Sequence, residues 1–289
     1  MSKNKRHIDL NLSPVNKPGG FLQKVEIPYK KTREEAWAEL DEKLTEKPSP
    51  KFLIFSSHKV IFSVAAAILL LAGVFSLLRF YTSTVTCPEG QHLSYVLPDG
   101  SKIELNADSK IAYHPLWWRF SRKLDFEGEG YFQVEKGKKF EVVSAFGRTE
   151  VLGTAFNIYS RENEYKVTCM TGRVKVTSFK SKVAILDPNI EASVNSDGII
   201  IVQRNLKPEE NNAWVNNMFN FTARPLGEVF KEIARQYGIR IILNAGADYM
   251  YTGYFLKDKP VEEVLTLVCK PFGLTFARVS EKEYKIFQN

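Results

Sequence analysis

The chain is poor in the residue patterns that build catalytic or metal centres. Its four histidines stand far apart and form neither an HxH nor an HExxH pattern, so they predict no metal site. No glycine-rich loop is followed by a Lys-Ser or Lys-Thr pair, and no GxSxG sequence occurs. These absences argue against a zinc hydrolase, a P-loop nucleotide-binding protein and a hydrolase with a nucleophile elbow. We therefore expect no cofactor, no metal and no enzymatic activity.

One group of carboxylates has an alternating spacing, in which Asp125, Glu127 and Glu129 are separated by single residues. Residues two apart on a strand share a face, but a shared face does not create the cleft that acid–base catalysis needs. We interpret these carboxylates as solvated residues, with Gly128 and Gly130 as turn glycines.

Cysteine is also scarce. Cys87, Cys169 and Cys269 lie in three separate segments and form no CxxC pair, so the sequence predicts neither a disulfide nor a metal site. Cys169 and Cys269 stand in apolar stretches that favour buried free thiols. Cys87 follows a long apolar run closely, and exposure of its thiol is open.

A strong charge of one sign is missing. The chain has 40 Lys and Arg against 33 Asp and Glu, a net charge of +7. No basic stripe typical of nucleic-acid binding is present, and we expect no direct nucleic-acid partner. The basic excess before residue 60 is better explained by attraction to anionic lipid headgroups.

Long hydrophobic runs are absent with one exception, Val60–Leu78. Its 19 uncharged residues reach roughly 28 Å as a helix, close to the hydrocarbon thickness of about 30 Å. A cleaved signal peptide lies nearer the N-terminus than this run, so we predict a retained single-pass anchor over residues 60–81. Arg79 is the only Lys or Arg between the run and Gly100, whereas four lysines stand between Asp41 and the run: Lys43, Lys47, Lys51 and Lys59. This bias places the N-terminus in the cytoplasm.

The segment before the anchor contains one clear helix signal. Residues 1–30 are rich in polar residues, Pro and Gly, and we assign them no fold. Thr32 and Glu35 form a capping box, and Pro48 stops the pattern. The apolar positions share one face of the helix: Ala36, Trp37, Leu40 and Leu44. An isolated helix of about 15 residues is only marginally stable in water. We therefore expect this face to bind a partner or, alternatively, to pack on other parts of the arm or lie on the membrane surface.

After the anchor, short strand-like segments recur from Thr84 to about Arg204. Turn signals separate them at Pro98–Gly100, Glu127–Gly128, Lys136–Gly137, Phe146–Arg148, Glu162–Asn163, Thr171–Arg173 and Ser196–Gly198. This spacing is typical of a sandwich, a barrel or a coiled β-solenoid, and does not choose among them. Trp117 and Trp118 are either an exposed recognition patch or a strand edge against the core.

The last segment contains an internal repeat. Phe221–Ile241 aligns with Leu256–Phe276, and each copy reads as strand, helix, strand. Pro225 and Pro260 stand where the helices start, and two glycines stand where they end, Gly238 and Gly273. This pattern therefore predicts a small α+β domain over residues 216–289.

Four motifs in the β-rich part resemble the FecR family of transmembrane anti-sigma regulators, in the form common among Bacteroidetes. They are Leu97–Ile111, Glu127–Gly137, Val151–Ile158 and Thr168–Val176. The C-terminal repeat is similar to the domain that accompanies FecR, and to the short N-terminal domain of secretins and TonB-dependent transporters. The motif residues read as scaffold positions and not as a chemical site: Asp99, Gly100, Gly128, Gly153, Thr154, Gly172, Gly238 and Gly273.

The resemblance implies a relay across the inner membrane. Residues 1–59 would be a cytoplasmic arm that regulates an extracytoplasmic-function sigma factor. Our own hypothesis, from the apolar face of the arm's helix, is that Trp37, Leu40 and Leu44 bind this factor. Residues 84–205 and 216–289 would lie in the periplasm, where the signalling domain of an outer-membrane TonB-dependent transducer contacts them. Regulated proteolysis is the implied route of release.

A different class of function also fits the residues. The chain could be a membrane-tethered periplasmic binding module for glycan or envelope components, with no sigma-factor partner. Trp117, Trp118 and the β-rich body motivate this alternative.

Overall fold

The computed structural model describes residues 31–45, 57–205, 208–244 and 248–288. The predictions for residues 1–30 and for Pro48 lie outside these ranges. The chain divides into two units, residues 1–62 and 63–289, which are described separately. The predicted fold class is confirmed: the chain is mostly β, with one apolar helix near the N-terminus and few others.

Two helices begin the described chain. Helix α1 is Arg33–Thr45 and helix α2 is Ser57–Phe80. Only Tyr81 and Thr82 separate α2 from the first strand.

Thirteen strands follow and form what we call the sheet domain. They are β1 (Ser83–Cys87), β2 (Leu93–Val96), β3 (Lys102–Leu105), β4 (Ser109–Tyr113), β5 (Arg122–Gln133), β6 (Phe140–Val143), β7 (Gly147–Val151), β8 (Ala155–Arg161), β9 (Glu164–Thr171), β10 (Val174–Ser178), β11 (Val183–Leu186), β12 (Ile190–Val194) and β13 (Ile200–Arg204). One sheet has the order β1-β4-β5-β6-β7-β10-β11, and the other has the order β2-β3-β5-β8-β9-β12-β13.

Strand β5 belongs to both sheets. Its first half pairs with β4 and β6, and its second half pairs with β3 and β8. The strand changes sheets at Gly128, which has φ +110° and could not carry a side chain, because a Cβ there would lie 2.4 Å from Ser109 Oγ. The turn predicted at Glu127–Gly128 is therefore wrong: the glycine bends the strand without ending it.

The core of the sheet domain lies between these two sheets. Phe132 stacks on Phe156 with ring centroids 5.1 Å apart and meets Phe126 edge-on at 5.3 Å. All three rings are buried. The architecture left open by the sequence is thus a sandwich whose two sheets share β5, so that it nearly closes into a barrel.

The C-terminal domain repeats one unit, as the sequence predicted. Strand β14 (Met218–Pro225), α3 (Leu226–Tyr237) and β15 (Arg240–Leu243) form the first copy; β16 (Met250–Leu256), α4 (Val261–Cys269) and β17 (Leu274–Ser280) form the second, and β18 (Glu283–Gln288) closes the domain. Strand β14 pairs with β16, and β18 lies between β15 and β17. The core is built from apolar positions of both helices: Leu226, Val229, Phe230, Ile233, Val264, Leu265 and Val268.

All three cysteines are free and buried. For Cys87 this settles the open question against exposure, because its side chain faces the core of the sheet domain. Burial raises the pKa of the Cys169 and Cys269 thiols to about 11.

Candidate functional site

Helix α1 starts with a reciprocal capping box. The Thr32 N–H donates to the Glu35 carboxylate at 2.9 Å, and the Glu35 N–H donates to Thr32 Oγ1 at 3.4 Å. These bonds satisfy two N–H groups that a helix start leaves without partners. The sequence signal therefore fixes where the helix begins.

The apolar side chains of α1 are exposed. Trp37 is 61% accessible, Leu40 49% and Leu44 71%, and no residue of the helix is buried. Glu39 accepts hydrogen bonds from Lys31 and Lys43, which lower its pKa, but such exposed ion pairs stabilise a helix little. A short helix with an uncovered apolar face is a candidate docking surface. We call Trp37, Leu40 and Leu44 the arm face.

Helix α2 has the length and composition of a membrane span. Residues His58–Phe80 form 23 residues of helix with a mean hydropathy of 2.6 in the most apolar window. At about 1.5 Å per residue this helix is about 35 Å long, enough to cross the hydrocarbon core.

A second candidate site lies where α3 packs on the sheet domain. Gln236 Nε2 donates to Asn106 Oδ1 at 2.5 Å and to Glu232 Oε1 at 2.9 Å. Its Oε1 accepts from Lys257 Nζ at 3.0 Å and lies 2.9 Å from His92 Nε2, which must carry a proton to donate to an amide oxygen. Burial lowers the pKa of His92. One glutamine side chain thus connects both domains.

Glu129 is buried next to this glutamine. Its carboxylate accepts from Asn106 Nδ2 at 2.8 Å and from Asn157 Nδ2 at 3.1 Å. Burial, followed by repulsion from Glu232, raises the pKa of Glu129. Our interpretation of Glu129 as solvated is therefore wrong. The three residues Asp125, Glu127 and Glu129 do share a face of β5, but the C-terminal domain covers only the last of them.

Ion pairs and a backbone hydrogen bond connect the last turn of α3 to the sheet domain. Arg235, with 10% of its side chain exposed, contacts Glu232, Glu162 (3.4 Å) and Asp108 (3.8 Å). The Gly90 N–H donates to the Arg235 carbonyl at 2.9 Å, and this carbonyl also accepts from the Gly238 N–H at 3.4 Å. Turns of the sheet domain therefore cap the C-terminal end of α3.

We call the group Asn106, Glu129, Asn157, Glu232 and Gln236 the polar junction. A cleft of about 860 Å³ opens beside it, lined mostly by polar and charged side chains from both domains. Among the described residues, no group of three or more His, Cys, Asp or Glu side chains could hold a metal ion. The arrangement suits a joint between domains more than a reaction centre.

The sequence did not single out the amides of the polar junction. Gln236 stands three residues after Ile233 on the face of α3 that is otherwise apolar, and it is 2% exposed. A glutamine that continues an apolar stripe was the available signal. The sequence around Asn106 and Asn157 contains no such signal, because the side chains that they bond to are more than 20 residues away in sequence.

The predicted motif residues lie at turns and close approaches. Asp99 accepts hydrogen bonds from Ser101 and Arg122; burial raises its pKa, but these bonds outweigh burial and the pKa is lowered. Gly100 follows it in the β2–β3 hairpin with φ +86°. The others lie in β5, in the loops before β8 and β10, and after α3 and α4: Gly128, Gly153, Thr154, Gly172, Gly238 and Gly273.

The two adjacent tryptophans do not lie on a strand. Pro115–Trp117 is a turn of 3-10 helix. Trp118 is buried in the core against Tyr113 and Phe140, whereas Trp117 packs against α2. Trp118 is thus unavailable to an external ligand, which removes half of the patch that motivated the binding-module alternative.

Comparisons with known proteins agree with this architecture. The family model described as FecR protein matches residues 83–175, and the model described as FecR, C-terminal matches residues 218–286. Together these matches span more than half of the 289 residues. No curated protein matches the chain by sequence.

Two solved structures from Parabacteroides distasonis are similar to this chain, and both are described as a candidate anti-sigma factor. Each is 25% identical and covers 72% of the chain, with TM-scores of 0.66 and 0.65; the matches cover 100% and 99% of those proteins. The fold is thus that of a FecR-type sheet domain followed by its C-terminal domain. The chain belongs to the FecR family of anti-sigma factors.

Proposed function

We propose that this chain is a single-pass inner-membrane regulator that relays an envelope signal to an extracytoplasmic-function sigma factor. The observation that carries the proposal is the arm face, an exposed apolar surface on a capped helix that precedes a membrane-spanning helix. Membership of an anti-sigma family supports a regulatory and not a catalytic role.

The proposal divides the chain by compartment. Residues 1–59 form the cytoplasmic arm, 60–81 the anchor, and 84–205 with 216–289 the periplasmic part. The lysine bias before α2 supports this orientation. The signalling domain of an outer-membrane TonB-dependent transducer would contact the periplasmic part, and proteases would release the arm.

The arm face can be tested by co-purification of the full chain with a sigma factor, followed by substitution. Trp37→Ala removes a large exposed aromatic, and we expect it to weaken sigma binding by about 2 kcal/mol, roughly thirty-fold in Kd. Glu42→Ala is the matched control, because Glu42 lies on the opposite side of α1. Equal affinity of both variants and the parent chain would remove the arm face from the proposal.

Orientation needs its own test. The native cysteines are buried, so single exposed cysteines can report topology. We expect a membrane-impermeant maleimide to label Val279→Cys in intact spheroplasts, and to label Glu42→Cys only after lysis. The reverse pattern would overturn the sigma-factor assignment, because the arm would then be outside the cell.

A further inference from the structure

We propose that the segment Pro115–Ser121 inserts into the membrane surface at the C-terminal end of α2 and holds the sheet domain against the lipid. We call it the interfacial loop. The proposal requires only that α2 crosses the membrane, and it is independent of the sigma-factor assignment.

Strand pairing puts the interfacial loop at the end of α2. Strand β1 begins three residues after the helix, and its first residue, Ser83, pairs with Tyr113, the last residue of β4. The loop therefore leaves β4 directly beside the helix end. His114 strengthens this position, because its Nδ1 lies 3.1 Å from the Tyr81 carbonyl oxygen and 3.2 Å from Thr82 Oγ1.

Contacts with α2 fix the depth of the loop. The Trp117 ring meets Phe75 edge-on, with centroids 5.6 Å apart, and the Arg79 guanidinium lies 5.4 Å from the centre of the Trp117 ring. Phe75 is inside the apolar run, about 6 Å before Arg79 along the helix axis. A tryptophan that touches both residues lies at the boundary between acyl chains and headgroups, where tryptophan is enriched in membrane proteins.

The rest of the loop has the composition that such a boundary favours. Phe120 is 69% exposed and Leu116 47% exposed, and the Phe120 ring lies 4.7 Å from that of Trp117. In a soluble setting these apolar side chains would face water, which is unfavourable. Residues 109–124 contain no Asp or Glu, and Arg119 and Lys123 are exposed cations within and just after the loop, whereas Arg122 is paired with Asp99. Apolar side chains flanked by cations are complementary to anionic lipid headgroups.

The test uses the full chain reconstituted in vesicles of phosphatidylethanolamine and phosphatidylglycerol. In a Trp37→Phe background, Phe120→Trp places a fluorophore at the tip of the loop. Val279→Trp is the matched control, because Val279 is similarly exposed, at 58%, but on β17 of the C-terminal domain. Both substitutions add the same apolar group, so tryptophan itself cannot explain a difference between them.

We expect lipids brominated near the glycerol end of their chains to remove most of the emission added by Phe120→Trp, and to leave that of Val279→Trp unchanged. The emission of Phe120→Trp should also be blue-shifted. Co-flotation with the vesicles checks that α2 is inserted in each variant. Unquenched emission from Phe120→Trp in a chain that floats would overturn the proposal, and so would equal quenching of both variants.

Discussion

Gln236 on α3 donates a hydrogen bond of 2.5 Å to Asn106 in the β3–β4 loop, and so joins the C-terminal domain to the sheet domain. Both side chains are buried. Polar groups buried in this way hold a domain in one orientation, because each loses a partner when the domains shift. The relative position of the two domains is therefore set by directional bonds and not by apolar contact alone.

Removing this glutamine should loosen the domains. Gln236→Ala removes one of the two donors to the buried Asn106 Oδ1, which keeps only the Ala107 N–H, and it also removes a partner of both Lys257 and His92. We expect a loss of about 1–3 kcal/mol, measured as a lower midpoint of thermal unfolding and faster hydrogen exchange in α3. Arg240→Ala, at a side chain that is 75% exposed, is the control and should change neither. Equal midpoints for the two variants would contradict this role of the amide.

Glu129 should make the junction sensitive to pH. Its pKa is raised above the ordinary value of 4.5 in the folded chain, so folding favours the protonated acid. The contribution of Glu129 is fully present below pH 4.5 and is lost as pH rises through the folded pKa. Glu129→Gln mimics the protonated acid. The buried Asn157 Oδ1, which has no hydrogen-bond partner among the described residues, can accept from the new amide if the Asn157 side-chain amide flips.

We therefore expect Glu129→Gln to be more stable than the parent chain at neutral pH and to lose that advantage as pH falls toward 4.5. Thermal unfolding midpoints at several pH values provide the measurement. Glu127→Gln, which is exposed on the same face of β5, corrects for the general effect of removing a charge. A parallel pH profile in all three chains would show that Glu129 ionises freely.

The capping box should matter for binding by the arm. Thr32→Ala removes the side-chain acceptor for the Glu35 N–H, which costs a helix about 1 kcal/mol. If the arm face binds as a helix, sigma-factor affinity falls by roughly five-fold, as titration calorimetry can measure. Thr45→Ala at the other end of α1 is the control, since alanine is a better helix former. An unchanged Kd for Thr32→Ala would mean that the partner binds the arm in another conformation.

Gly128 should tolerate no side chain. Gly128→Ala places a Cβ 2.6 Å from the Ser109 Cα at a residue with φ +110°, so both backbone strain and a steric clash apply. We expect a loss of about 3 kcal/mol or more, seen as a large drop in the unfolding midpoint. Gly273→Ala separates the two causes, because it has φ +64° but no atom within 4 Å, and it should cost only about 1 kcal/mol. Similar losses at both positions would mean that the close approach to Ser109 is relieved by a shift of β4.

Features encoded by neighbouring residues were predictable from the sequence. The capping box of α1, the apolar run and the strand-helix-strand repeat each depend on residues within a few turns or strands of one another. The long-range features were not. Glu129 alternates in phase with exposed carboxylates, but it lies among Asn106, Asn157 and the α3 residue Glu232, which are 23 to 103 residues away in sequence. Trp118 is buried and Trp117 contacts α2 because of where the loop after β4 lies in the fold, which the local sequence does not indicate.

The two-residue link between α2 and β1 limits what the spanning helix can do independently. Tyr81 and Thr82 bridge the gap, and the Tyr81 N–H still donates to the Leu77 carbonyl at 3.0 Å, so the helical hydrogen bonding continues into the link. His114 of the sheet domain also contacts Tyr81 and Thr82, so both residues of the link are held against that domain. We therefore expect rotation of α2 about its own axis to turn the sheet domain with it, and a tilt of the sheet domain to tilt the helix.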